Sequence, residues 1–235
     1  MPVDRLNSDG QTLKLAFGLH QKGQLAQAER LYRDVVKAQP GNYDGHYLLG
    51  LLHAQQGRCE SAAKYFGKAA RLKHDFVDAH YNQGVMLNAL TQHSAAISSY
   101  DNVLRLKPDH SEALRNRAAS LFELGRFQEA LAGYDRLLSL NQSNGEVHDS
   151  RGVVLRKLQR FEEAVASHDR ALSADPNNAE AASNQAIALR ALGRFDEALE
   201  SYDRAIRLNP DYAEAYFNRG IALTEMKRFN EAAQS

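Results

Sequence analysis

The segment AEAASNQAIALRALGRFDEALESYDRAIRLNPDY, residues 179–212, contains the pattern from which the architecture can be predicted. Its first part, near Glu180–Leu192, has apolar residues at helical spacing, and Gly193 then ends that helix as a residue with left-handed backbone would. Phe195 begins a second helix, which Pro210 ends because proline has no N–H to donate and disfavours helix in the residue before it. Apolar residues recur every three or four positions on one face of this second helix: Ala198, Leu199, Tyr202, Ala205 and Ile206.

The same pattern recurs every 34 residues along the chain, without insertion or deletion. Four prolines are separated by multiples of that period: Pro40, Pro108, Pro176 and Pro210. Alanine recurs at Ala28, Ala62, Ala96, Ala130, Ala164, Ala198 and Ala232. A small residue recurs at Ala16, Gly50, Gly84, Ala118, Gly152, Ala186 and Gly220. Four series in one register are typical of a repeat protein.

The period divides the chain into units of two helices each. With residue 9 as position 1, a leader at 1–8 precedes these repeats: 9–42, 43–76, 77–110, 111–144, 145–178, 179–212 and a partial 213–235. No alternating strand pattern appears, and a single helix pair cannot bury both of its faces. We therefore predict an all-α fold, an α-solenoid of stacked 34-residue antiparallel helix pairs.

The recurring small residues have a steric explanation. Two antiparallel helices joined by about three residues cross closely, and only glycine or alanine fits where their axes approach. We expect Gly84 to face Ala96, and Ala186 to face Ala198. An aromatic residue such as Tyr100 would fill the wider space below the crossing.

Composition excludes several classes of protein. The 29 basic and 29 acidic residues leave a formal net charge of zero, so the chain has no surplus of cations for binding nucleic acid. The single cysteine, Cys59, rules out an internal disulfide. The longest strongly apolar stretch, Tyr47–Leu52, is far shorter than the ~18 residues of a membrane helix. No export signal is visible at the N-terminus, so we expect a cytoplasmic protein with no nucleic-acid or membrane partner.

The 34-residue period and its recurring small, aromatic and proline positions resemble the tetratricopeptide repeat (TPR) over residues 9–235. The resemblance implies a right-handed superhelix in which the first helix of each pair lines a concave groove. It also implies a non-catalytic scaffold that binds an extended peptide or protein surface.

Asparagines form a spaced row at position 6 of the first helices: Asn82, Asn116, Asn184 and Asn218. An asparagine amide offers both a donor and an acceptor, so such a row can bond the backbone of an extended peptide. Asparagine is also a mediocre helix former, which argues against a filler role. We expect these four residues to bind peptide. The alternative is that they are tolerated polar residues on a solvated face.

Carboxylates recur at position 2: Asp44, Asp78, Glu112, Glu146, Glu180 and Glu214. They could attract a basic partner, but we favour stabilisation of the helix N-terminus by a charge in the first turn. Position 12 adds Arg156 and Arg190, so the groove is mixed in sign. The basic residues of the carboxylate clamp in chaperone-binding members are absent from positions 2 and 9.

A narrower resemblance concerns AHYNQGVMLNAL (residues 79–90), SYDNVLRLKPDHSEALRNR (residues 99–117) and AEAYFNRGIAL (residues 213–223). These are similar to the repeat arms of bacterial proteins related to Spindly-like O-linked N-acetylglucosamine transferases. The alternative function is therefore the substrate-recognition arm, or a fragment, of such a glycosyltransferase. Its implied acceptor-holding residues are the same four asparagines.

No sequence motif for catalysis, a cofactor or a metal is present. The chain lacks a P-loop, GxGxxG, GxSxG, CxxC and HExxH. His46, His80 and His148 all occupy position 4, which places them on separate repeats. We expect them to pack or lie at the surface. We predict no catalytic residue, no metal ligand and no cofactor.

The sequence ends at Ser235, shortly after the seventh second helix begins. A repeat stack whose last helix pair is incomplete exposes an apolar face at that end. We expect either a fragment of a longer protein or self-association through this C-terminal end.

Overall fold

The computed structural model describes the backbone of residues 3–233 and 235 and the side chains of residues 10–233 and 235. Within this part of the chain the regular structure is fourteen helices and no strand, so the predicted all-α fold of helix pairs is confirmed. The helices are α1 Val3–Gln21, α2 Leu25–Ala38, α3 Tyr43–Gln55, α4 Cys59–Leu72, α5 Val77–Ala89, α6 His93–Leu106, α7 Ser111–Glu123, α8 Phe127–Leu140, α9 Gly145–Lys157, α10 Phe161–Ala174, α11 Ala179–Ala191, α12 Phe195–Leu208, α13 Ala213–Glu225 and α14 Phe229–Ala232.

The helix boundaries follow the period. From α3 onward every first helix, and from α2 onward every second helix, begins 34 residues after its predecessor. At the N-terminus α1 begins at Val3, so the backbone of residues 3–8 is helical where the repeat frame predicts a leader. Residues 1 and 2 lie outside the described residues.

The chain forms two compact units, Met1–Ser120 (unit 1) and Leu121–Ser235 (unit 2), with the boundary inside α7. In unit 1, α1 packs on α2, α3 on α4 and α5 on α6, while α2 packs on α3 and α4 on α5. In unit 2, α9 packs on α10, α11 on α12 and α13 on α14, and each second helix also packs on the next first helix. Each unit is thus a stack of helix pairs that cover one another's apolar faces.

Three of the recurring small residues, Gly50, Gly84 and Gly152, lie directly against rings. A Cβ placed on Gly84 would lie 2.6 Å from the ring of Tyr100, nearer than any atom of Ala96. A Cβ on Gly50 would meet Phe66 at the same distance, and one on Gly152 would lie 2.5 Å from His168. The rings are fully buried or nearly so. In these three repeats the glycine at position 8 is therefore matched to the ring at position 24, whereas the other small residues at position 8 are Ala16, Ala118, Ala186 and Gly220.

Side chains at position 34 cap the N-termini of several first helices. Asn42, Asn144 and Asn178 each accept a hydrogen bond from the backbone N–H three residues later, at 2.8, 3.1 and 2.9 Å. The Nδ1 atom of His110 accepts from the N–H of Ala113 at 3.3 Å. These bonds satisfy helix N–H groups that have no partner within the helix.

The loop inside each pair contains one residue with left-handed backbone. This residue recurs every 34 positions, with φ between 56° and 75°, and includes the predicted Gly193. It is glycine at Gly23, Gly57, Gly125 and Gly193 and a residue with a side chain at Thr91, Gln159 and Lys227. Left-handed backbone is unfavourable for residues with a Cβ, and most of all for a β-branched one.

Surface charges are paired in two repeating arrangements. An arginine at position 16 binds a glutamate at position 19 in the pairs Arg126–Glu129, Arg160–Glu163, Arg194–Glu197 and Arg228–Glu231. An aspartate at position 25 binds an arginine at position 7 of the next repeat in Asp101–Arg117, Asp135–Arg151 and Asp203–Arg219. Because most of these groups are half-exposed, each pair contributes about 0–1 kcal/mol.

We predict that Thr91→Gly stabilises the protein by about 1 kcal/mol, because it removes a Cβ from left-handed backbone at φ 56°. Urea unfolding followed by circular dichroism measures the change. Gly57→Thr is the matched control in the same unit. A Cβ at Gly57 meets no atom within 4 Å, so backbone strain alone should destabilise that variant. Equal stability of Thr91→Gly and the parent chain would contradict the interpretation.

Candidate functional site

The four predicted asparagines lie on the first helices, two in unit 1 and two in unit 2. Positions 2, 5, 6, 9 and 12 of these helices are called here the first-helix face. Asn82 and Asn116 lie on α5 and α7, Asn184 and Asn218 on α11 and α13, and all four are half-buried. The structure brings the asparagines of each unit onto successive first helices.

Three of the asparagines bond the preceding repeat. The Nδ2 group of Asn82 donates to the Tyr47 hydroxyl at 3.0 Å, and that of Asn116 donates to the Tyr81 hydroxyl at 3.3 Å. Asn184 donates to the carboxylate of Asp149 at 3.4 Å. Asn218 forms no such bond within the described residues. The row therefore also joins repeats, a role that the sequence analysis did not anticipate.

Tyr47 and Tyr81, the acceptors in unit 1, are held by aromatic neighbours. The ring of Tyr47 lies 4.7 Å from that of Phe76, and the ring of Tyr81 stacks on His110 at 5.2 Å. Burial raises the pKa of both tyrosines. These residues are neutral at physiological pH, so the unit 1 part of the face combines aromatic rings with amides.

Asp149 organises a different arrangement in unit 2. Its carboxylate accepts from Nδ1 of His168 at 2.7 Å as well as from Asn184. His168 fills the buried ring position under Gly152, where most repeats have tyrosine or phenylalanine. The histidine thus keeps the ring packing and adds a hydrogen bond to a carboxylate on the first-helix face.

Two arginines at position 12 lie among acidic residues. Arg190 binds Glu225 at 2.7 Å. Arg156 makes no hydrogen bond or ion pair within the described residues, and its Nε atom is buried without a partner. Burial lowers the pKa of Arg156, while Glu214, Tyr202 and Asp149 act in the opposite direction. A half-buried guanidinium without an ion pair can donate to an acceptor on a bound chain.

The position 2 carboxylates lie in the first turns of the first helices, as the preferred interpretation requires. All six are exposed: Asp44, Asp78, Glu112, Glu146, Glu180 and Glu214. A negative charge in the first turn is stabilised by the unpaired N–H groups of the helix N-terminus.

The repeated histidines have a structural role. Nε2 of His46 bonds the carbonyl of Pro40 at 3.0 Å, and Nε2 of His148 bonds that of Gln142 at 2.8 Å. His80 bonds the carbonyl of His74 at 3.1 Å. Each histidine links a first helix to the loop that precedes it. In the described part of the chain no group of three His, Cys, Asp or Glu residues could hold a metal ion.

No helix among the described residues has the length and apolar character needed to cross a membrane.

Solved structures share this fold. The crystal structure of YrrB, a TPR protein with an unusual peptide-binding site, matches with a TM-score of 0.69 at 21% identity, over 78% of this chain and 95% of YrrB. A tetratricopeptide repeat protein from Parabacteroides merdae matches with a TM-score of 0.72 at 19% identity, over 97% of this chain and 90% of that one. PilF of Pseudomonas aeruginosa matches with a TM-score of 0.66 at 19% identity, over 90% of this chain and 96% of PilF. At these identities the similarity concerns the fold.

Family models match most of the sequence. A tetratricopeptide repeat model matches residues 18–75, 53–97, 89–145, 120–179 and 150–199, and a TPR repeat model matches residues 186–227. No curated protein matches the chain. The overlapping repeat matches cover well over half of the 235 residues. The chain therefore belongs to the tetratricopeptide repeat family.

Proposed function

We propose that the chain is a non-catalytic scaffold that binds an extended segment of a partner protein on the first-helix faces. The observation that carries the proposal is the asparagine row. Each of Asn82, Asn116 and Asn184 uses one amide N–H to bond a neighbouring repeat, which leaves a second N–H and acceptor capacity on a half-exposed group. Such amides can bond the backbone of an extended chain whatever its side chains.

Two further observations support this function. The tetratricopeptide repeat family consists mainly of protein-interaction modules, and YrrB, which has a similar fold, has a peptide-binding site. Arg156, on the same face of unit 2, makes no ion pair within the described residues and offers charged donors. We also propose a cytoplasmic location, which fractionation of the native host tests directly.

The experiment starts by identifying partners through affinity capture and mass spectrometry. We predict that the combined change of Asn82, Asn116, Asn184 and Asn218 to alanine weakens binding of a captured partner at least tenfold. Each lost hydrogen bond contributes about 0.5–1.5 kcal/mol, and about 1.4 kcal/mol corresponds to tenfold in affinity. Isothermal titration calorimetry measures the affinity.

The matched control is Asn141→Ala. Asn141 follows the second helix α8, away from the first-helix face, and its side-chain oxygen accepts a hydrogen bond from the N–H of Ser143. Thermal unfolding checks that the quadruple variant is folded, because three of its asparagines also join repeats. A folded quadruple variant with unchanged affinity would remove the case for the row.

The glycosyltransferase arm is the alternative function. It uses the same asparagines to hold an acceptor protein and requires a glycosyltransferase domain in the same reading frame. Sequencing the gene beyond the codon for Ser235 distinguishes it from the scaffold.

We further propose that α13 mediates self-association. A largely apolar cavity of about 850 Å³ lies along this helix, lined in part by Tyr216, Phe217 and Ile221. Phe217 is 68% exposed, and Phe229 nearby in sequence is 62% exposed. A second copy of the chain is the proposed occupant, because burying such side chains favours association.

We predict that the weight-average sedimentation coefficient rises with concentration for the parent chain. The rise should disappear in the Phe217→Ser, Ile221→Ser double variant. Leu140→Ser is the control, since Leu140 is an exposed apolar residue of the same unit that does not line the cavity. A parent chain that stays monomeric at high concentration would contradict self-association.

A further inference from the structure

A polar cavity of about 260 Å³ opens among α4, α5 and α6 of unit 1. It is lined by Arg71, His74, His80, Gln83, Asn102 and Arg105, with Gly67 and Ala70 completing the wall. None of these residues belongs to the first-helix face, and none of the lining side chains is a carboxylate. The cavity is therefore rich in hydrogen-bond donors and has no acidic group of its own.

The two arginines of the cavity have no partner in the part of the chain that the structure describes. Arg71 and Arg105 lie in the last turns of α4 and α6, are exposed, and form no hydrogen bond or ion pair within the described residues. Elsewhere in unit 1, Arg117 binds Asp101 at 2.6 Å. The negative end of a helix dipole stabilises an arginine near the helix C-terminus, but this interaction leaves the N–H donors of the guanidinium available.

The repeat explains why this cavity has no carboxylate. Position 25 is aspartate at Asp101, Asp135, Asp169 and Asp203, and three of these bind an arginine at position 7 of the next repeat. In repeat 2 the same position is Gly67, and its position 7 counterpart is Gln83. A Cβ at Gly67 would lie 2.6 Å from the amide nitrogen of Gln83, so the two residues are in contact. Both charges of the usual pair are thus replaced by neutral groups.

The corresponding cavity in unit 2 shows the usual arrangement. It has a volume of about 490 Å³ and is lined by Asp135, Arg151, Arg170 and His148, among others. There the carboxylate of Asp135 lies 2.6 Å from Arg151. In the unit 2 cavity one of the two arginines is therefore paired with an internal anion, whereas neither arginine of the unit 1 cavity has such a partner among the described residues.

We propose that the cavity around Arg71 and Arg105 binds a phosphoryl group. Its ligand is either inorganic phosphate or the phosphate of a phosphorylated side chain on a partner. Two guanidinium groups and the side-chain amides of Gln83 and Asn102 supply more donors than the two oxygens of a carboxylate need. Arginine forks match the oxygen geometry of phosphate and form strong charge-assisted bonds with it. The absence of a carboxylate removes the repulsion that a dianion would otherwise meet.

The test is titration of the full chain with inorganic phosphate at low ionic strength by isothermal titration calorimetry. We expect saturable one-to-one binding that weakens about tenfold in Arg71→Gln and in Arg105→Gln, as each removes a charged donor group. The Gly67→Asp, Gln83→Arg double variant rebuilds the ion pair of the other repeats and should abolish binding while the protein stays folded. Arg170→Gln in the unit 2 cavity is the matched control and should leave binding unchanged.

The source of the phosphoryl group follows from a second titrant, O-phospho-L-serine. Tighter binding of phosphoserine than of phosphate assigns the site to a phosphorylated partner, and the reverse order assigns it to the free anion. The proposal is overturned if neither binds saturably, if glutamate binds as well as phosphoserine, or if the double variant binds like the parent chain. Equal loss in Arg170→Gln would also overturn it. These titrations involve no residue of the first-helix face, so their outcome is separate from that of the asparagine experiment.

Discussion

The contact between a buried ring at position 24 and a glycine at position 8, which is present at Gly50, Gly84 and Gly152, is the constraint on which the rest of the structure depends. The Tyr100 ring occupies the space where any side chain at Gly84 would begin, and Phe66 does the same at Gly50. Close packing of this kind leaves little freedom in the relative position of the two helices of a pair. Because position 8 is glycine or alanine in every repeat, the chain builds one helix pair after another with similar internal geometry.

This repetition determines which side chains remain available for binding. Ion pairs between positions 16 and 19, and between positions 25 and 7, use the arginines at positions 16 and 7 internally. Arginines outside these ion pairs can be compared with the residues at the same position of other repeats. Arg156 on the first-helix face and the Arg71–Arg105 cavity are two places where charged donors have no acceptor among the described residues. Both proposals concern such arginines.

Much of the fold could be predicted from the sequence because the determining signals are local. The helix ends near Gly193 and Pro210 follow from backbone geometry, and the structure places them where the pattern indicates. The sequence analysis did not predict that the ring of Tyr100 lies against Gly84. Spacing identifies the small residue but does not show how far a tyrosine ring extends across the pair.

The site was less predictable. The position of the asparagines on first helices follows from the period, but their bonds to Tyr47, Tyr81 and Asp149 join residues 35 apart in sequence. These bonds could have been predicted from one sequence signal, a polar residue at position 5 followed by an asparagine at position 6 of the next repeat. The donor-rich cavity depends on a missing aspartate at Gly67, which has meaning only once the Asp101–Arg117 contact is known.

The most direct measurement of the central claim is a double-mutant cycle between Gly84 and Tyr100, followed by urea unfolding. With Tyr100 present, Gly84→Ala should destabilise the protein by about 1–3 kcal/mol, because the methyl group overpacks against the ring. In the Tyr100→Leu background the same change should be neutral or stabilising, since alanine is the better helix former and the outer ring atoms are gone. The same destabilisation in both backgrounds would contradict the account.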